Sequence, residues 1–83
     1  MPHYFYNGKD ITIDVLMKIE EVVSLLSERF SEPFDEMLFR FYKSKTFRAL
    51  KNTDSCMWSE SSPFIADEYV RENGTELNAV FLE

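Results

Sequence analysis

Apolar residues return every three or four positions between Thr12 and Phe30: Val15, Leu16, Ile19, Val22, Val23, Leu26 and Phe30. That period is helical, so the segment predicts an amphipathic helix with one apolar stripe. Asp14, Lys18, Glu21 and Glu28 fall on the opposite side, and Asp14 with Lys18 makes a favourable i,i+4 pair. Asp10 and Thr12 are candidate caps. Met17 and Leu25 miss the stripe and sit among the polar positions. They read either as ordinary isolated exposed apolars or as a second contact face.

The pattern breaks at Ser31-Glu32-Pro33 and restarts. Pro33 suits the first position of a new helix, with Ser31 or Glu32 near the cap. Phe34, Met37, Leu38 and Phe41 then share a face, predicting a helix from Pro33 to Lys43. Asp35 and Glu36 in the first turn, and Arg40 and Lys43 in the last, match the helix dipole. Ser44 is a candidate N-cap for a short helix through Leu50, with Phe47 and Leu50 turned inward.

Asn52-Thr53-Asp54-Ser55 has turn chemistry. Cys56-Met57-Trp58 forms an apolar knot in that loop, expected to plug onto the helices because Trp58 carries a large apolar area. Ser62-Pro63 reads as a cap followed by proline at the first helical position. Phe64, Ile65, Ala66, Tyr69 and Val70 supply the inward face, and Asn73-Gly74 the stop. In the tail, Leu77, Val80 and Phe81 suggest a short helical stretch folding back from Thr75 to Glu83.

At the other end, Asn7-Gly8 between β-prone residues is a hairpin signal. A lone two-stranded hairpin is marginal in water, so an aromatic arm over a helix competes with it. The expected fold is all-α, a single domain over 1–83. It is a small helical bundle of three longer helices plus one or two short ones. Its expected core holds Leu16, Ile19, Val23, Leu26, Phe34, Leu38, Phe41, Phe47, Leu50, Trp58, Ile65 and Tyr69.

Composition changes this picture in two ways. A chain of 83 residues buries only about 60–65% of its unfolded surface, so its stability margin is expected to be thin, and with one cysteine no intrachain disulfide can staple it. Aromatics at 16% and hydrophobics at 45% offset that and argue for a true core. The net charge of −6 disfavours unspecific attraction to nucleic acid or anionic membrane. No long uninterrupted apolar run is present, so no membrane span is expected. The N-terminal residues lack a signal-peptide layout, and the free thiol suits a reducing setting, so a cytoplasmic location is expected.

Candidate chemistry is sparse. One histidine, His3, and one cysteine, Cys56, cannot assemble a zinc ligand set. A Cys56–His3 dyad needs the fold to bring distant residues together, and the apolar context of Cys56 raises a thiol's pKa rather than activating it. Gly8 and Gly74 alone cannot build a phosphate loop. The acidic pairs Glu20-Glu21, Asp35-Glu36 and Asp67-Glu68 read as solvated helix faces, not as buried catalytic carboxylates. No enzyme, cofactor or metal is expected.

The charge pattern is more informative. Arg40, Lys43, Lys45, Arg48 and Lys51 are five of the nine basic residues. They interleave with Phe39 and Tyr42, and these seven are the candidate interaction residues. Basic and aromatic residues together can bind single-stranded nucleic acid. Helix ends also attract cations, and the acids elsewhere can pair with these. A third reading is a socket for an acidic patch on a protein partner.

The stretch from Phe41 to Val70 resembles a family of small bacterial proteins of unknown function. In that family a helix ends in Tyr-x-Ser-x-Thr-aromatic, matched here by Tyr42, Ser44, Thr46 and Phe47. Leu50, Met57-Trp58 and Ser62-Pro63 match the leucine, the Leu/Met-aromatic pair and the Ser-Pro that follow. Ser55-Cys56, in place of a Thr-Gly-like pair, departs from the pattern, as does a longer polar stretch before Pro63. The resemblance implies a compact helical fold, no known enzymatic activity, and an accessory role of toxin–antitoxin or regulatory type. The expected function is a bacterial, cytoplasmic interaction or regulatory module that binds another protein or forms a homodimer. Single-strand nucleic-acid binding through 39–51 is the alternative.

Overall fold

Asn7 and Gly8 both take positive φ, 52° and 77°, which is the backbone a type I′ hairpin turn requires. The hairpin forms: β1 (Phe5–Tyr6) pairs antiparallel with β2 (Lys9–Asp10), in the register Phe5 to Asp10 and Tyr6 to Lys9. This computed structural model describes residues 3–73 in full and, beyond them, only the helical backbone through Leu82. The hairpin does not stand alone. Tyr4 and Tyr6 pack on the core, and the Thr53 hydroxyl donates to the Phe5 carbonyl at 2.6 Å.

Helix α1 (Thr12–Phe30) follows at once, and it occupies the span its periodicity predicts. Asp10 acts as the start signal: its Oδ1 accepts the Thr12 backbone N–H at 2.9 Å and the Thr12 hydroxyl. These bonds from Thr12 hold the Asp10 carboxyl below its ordinary pKa. Ser31 ends α1 in the left-handed region, and Glu32 N–H reaches back to the Ser27 carbonyl at 3.1 Å. That is a Schellman-type ending without glycine.

Helix α2 is Phe34–Tyr42, and here Pro33 is the N-cap rather than the first helical residue, with its carbonyl accepting from Met37. Ser44 caps α3 (Lys45–Lys51) as expected: its Oγ accepts the Phe47 N–H at 2.9 Å. Two 3₁₀ turns, Thr53–Ser55 and Met57–Ser59, carry the loop, joined at Cys56 in the left-handed region. Trp58 closes it by donating from its indole N–H to the Thr53 carbonyl at 3.0 Å and meeting Tyr6 edge-on.

Helix α4 is Ser62–Leu82. Its capping residue is Ser61, one position before the expected Ser62: the Ser61 Oγ accepts from Phe64 N–H, and its carbonyl from Ile65 N–H. The helical backbone continues through Asn73-Gly74, where the sequence reads a stop. Thr75 to Leu82 therefore continue α4 and do not form the separate, folded-back stretch expected there, while the side chains of Leu77, Val80 and Phe81 lie outside the described residues.

Helix α1 is the central element, packed between α2 and α4, with α3 bridging α2 to α4. This is the mostly helical bundle expected from the pattern. Val15, Val22, Val23, Leu26, Met37, Phe41, Leu50 and Ile65 are fully buried, joined by Ile11, Ile19, Ala66 and Tyr69. Burial is what lifts the Tyr69 phenol above its ordinary pKa.

The expected core needs correction on α2. Its buried face is centred on Met37 and Phe41, which turns Phe34 out to 40% exposure and leaves Leu38 half-buried. Leu16, Phe47 and Trp58 are also half-buried on the rim, and Phe30 is 37% exposed at the end of α1. Leu25, read as polar-side, packs against the core instead.

Candidate interaction face

The basic and aromatic stretch 39–51 does not form one continuous strip, because Ser44 turns the chain between α2 and α3. Phe39 is 62% exposed, with Lys43 Nζ 4.0 Å above its ring. Tyr42 meets Phe47 edge-on at 4.8 Å, and Lys51 Nζ lies 5.6 Å from the Phe47 centroid. Arg40 leaves this side and pairs with Glu32 at 3.3 Å. Arg48 is exposed on α3. Lys45 lines a separate cleft with Thr46, Ala49, Met57, Glu68, Arg71 and Glu72.

That cleft is organised by a carboxylate that sequence reasoning missed. Glu72, on α4, accepts the backbone N–H of Lys45 at 2.8 Å and of Thr46 at 2.9 Å, plus the Thr46 hydroxyl at 2.7 Å. Partial burial pushes its pKa up, but these bonds and the Lys45 charge outweigh burial, so the carboxyl titrates below its ordinary range. Thr46 therefore bonds to a distant carboxylate, not to the neighbouring backbone group its type suggests. Glu72 neutralises the start of α3 and ties it to α4.

The face missed altogether runs between α1 and α2. Leu16, Glu20 and Ser24 form one i,i+4 row on α1, and Phe34, Leu38 and Tyr42 form another on α2. The two rows line an open groove of ≈ 480 Å³ that also reaches the buried Ile19. Glu20 is its one charged lining residue. Phe39 lies outside this lining. Each row has the i,i+4 spacing of a helix ridge, but only the fold brings the two together. Met17 is also exposed, but it lines a smaller ≈ 200 Å³ depression with Asp14, Lys18, Glu21 and Trp58.

His3 and Cys56 acquire different partners. His3 Nδ1 sits 3.5 Å from Asp10, while the Cys56 thiol is 3.4 Å from the Tyr6 hydroxyl. The hydrogen bond with Cys56 is also the main cause of a Tyr6 pKa raised above its ordinary value. Among the described residues no group of three potential ligands gathers for a metal ion. No helix there is long and apolar enough to cross a membrane. Comparison with family models, curated proteins and solved structures found no match to this chain.

Proposed function

We propose that the chain is a small protein-binding module, and that the α1–α2 groove is where it takes an amphipathic helix of its partner. The observation that carries this reading is the outward row Phe34, Leu38 and Tyr42, set against Leu16 with a single charged residue in the lining. A groove between two helices with apolar i,i+4 anchors suits the ridge of a third helix. The resemblance to small bacterial proteins adds a bacterial, cytoplasmic setting and an accessory or regulatory role to the same proposal.

The test is photo-crosslinking in producing cells from position 42, with position 60, exposed and outside the groove lining, as control. A protein adduct formed from 42 and not from 60 is the expected result. Adducts to RNA or DNA would instead favour the nucleic-acid alternative, and no adduct at 42 would overturn the docking face.

A further inference from the structure

We infer that the helix received by the α1–α2 groove is a basic one, apolar on the face that enters and carrying an arginine or lysine that meets Glu20. The inference rests on the reading of the groove as a docking surface for a partner helix. What it adds is the chemistry of that partner, argued from the charge of the lining.

Glu20 is exposed and is the middle residue of the α1 row, between Leu16 and Ser24. Leu38 is the middle residue of the α2 row, between Phe34 and Tyr42. No lysine or arginine lines the groove. Among the described residues no ion pair engages Glu20. Its carboxylate therefore faces solvent. A helix laid along the groove displaces that water, and a carboxylate covered without a partner is strongly unfavourable. Binding then requires the incoming helix to bring the cation. Arginine suits the place better than lysine, because its planar fork pairs with both carboxylate oxygens and it is more weakly hydrated.

The apolar side sets the spacing. Phe34 and Tyr42 lie one helical step of four on either side of Leu38, about 12 Å apart along the axis. A partner helix matches them with apolar residues at spacings of three and four over about two turns. Its basic residue lies on the edge of that stripe that faces α1. The net charge of −6 acts in the same sense, since it draws a basic segment toward the chain before contact and repels an acidic one.

The test starts from the adduct formed at position 42 in producing cells. The crosslinked segment of the captured protein is mapped by mass spectrometry and made as a synthetic peptide. That segment should be an amphipathic helix with an arginine or lysine beside its apolar stripe. Its binding is followed by fluorescence anisotropy, with circular dichroism to verify the fold of each variant. Glu20→Arg should weaken binding about tenfold or more, and Glu20→Gln, which keeps the size and removes the charge, by less. Glu60→Arg, the same charge change outside the lining, should leave binding within about twofold of the parent. A peptide with its basic residue changed to glutamate should recover affinity for Glu20→Arg. A segment with no basic residue, or a peptide indifferent to Glu20→Arg, would overturn the basic partner and leave the groove standing. No adduct at 42 would overturn the groove and this inference with it.

Discussion

Removing the Glu72 carboxylate should loosen the joint between α3 and α4. Glu72→Ala leaves the Lys45 and Thr46 amides and the Thr46 hydroxyl without the acceptors they now have at 2.7–2.9 Å. Hydrogen bonds to a charged group contribute about 1.5–3 kcal/mol each when shielded. Lys45 is exposed, so water replaces part of that loss, while Thr46 is buried at 6%. The net cost should be ~2–3 kcal/mol, comparable to losing a strong N-cap and one further charged bond. For a domain this size that lowers Tm by about 10–20 °C. Glu72→Gln keeps one acceptor oxygen and turns an NH₂ toward an N–H donor, so it should fall roughly midway.

The pH dependence gives the same claim a second readout. The folded-state pKa of Glu72 lies below its unfolded value. Its contribution is therefore complete above the ordinary carboxylate range and is lost as pH falls through the folded value. Thermal melts followed by circular dichroism should show a shallower acid decline in Glu72→Ala than in the parent. A Glu72→Ala protein melting within a degree or two of the parent, with an unchanged acid limb, would refute the clamp.

Other expectations follow from the same packing. Met37→Asp places a charge in a site 2% exposed and should unfold the chain or cost ~3 kcal/mol or more in urea denaturation, whereas Leu38→Asp on the groove rim should cost only ~1 kcal/mol. Equal losses at the two positions would mean that the phase of α2 is wrong. Gly8→Ala meets no neighbouring atom but must hold φ near 77°, so it should destabilise by ~1 kcal/mol through backbone strain alone. A neutral result in the urea midpoint would show that the hairpin turn adds nothing to the fold.

The helices were legible because their period is carried by residues that have no alternative to burial. Val15, Ile19, Val22, Val23 and Leu26 define one side of α1 with no competing stripe, and both ends of that helix fall where the pattern places them. Helix α2 is too short for such certainty. With Phe34, Met37, Leu38 and Phe41 all apolar, a rotation of a few tens of degrees exchanges Phe34 for the core, and tertiary contacts with α1 choose Met37. The prolines marked the helix starts correctly but not the cap: Pro33 is itself the N-cap, and Ser61 takes the role expected of Ser62.

The candidate site was harder to read. Sequence proximity grouped Phe39 to Lys51 into one patch, but Ser44 divides them between two helices, and pairings with Glu32, Phe39 and Phe47 occupy several of the cations. The groove depends on two rows brought together by the turn at Ser31-Glu32-Pro33, a long-range effect that residue spacing alone does not reveal. Glu72 was hidden for the same reason: an ordinary surface glutamate becomes a cap only once α4 passes the start of α3.

The most direct test of the α1–α2 groove as a protein-docking surface is the crosslinking comparison in producing cells between position 42, in the groove lining, and position 60, outside it. A protein adduct formed from 42 and not from 60 is the predicted result. No adduct from 42, or equal adducts from both positions, would contradict the account.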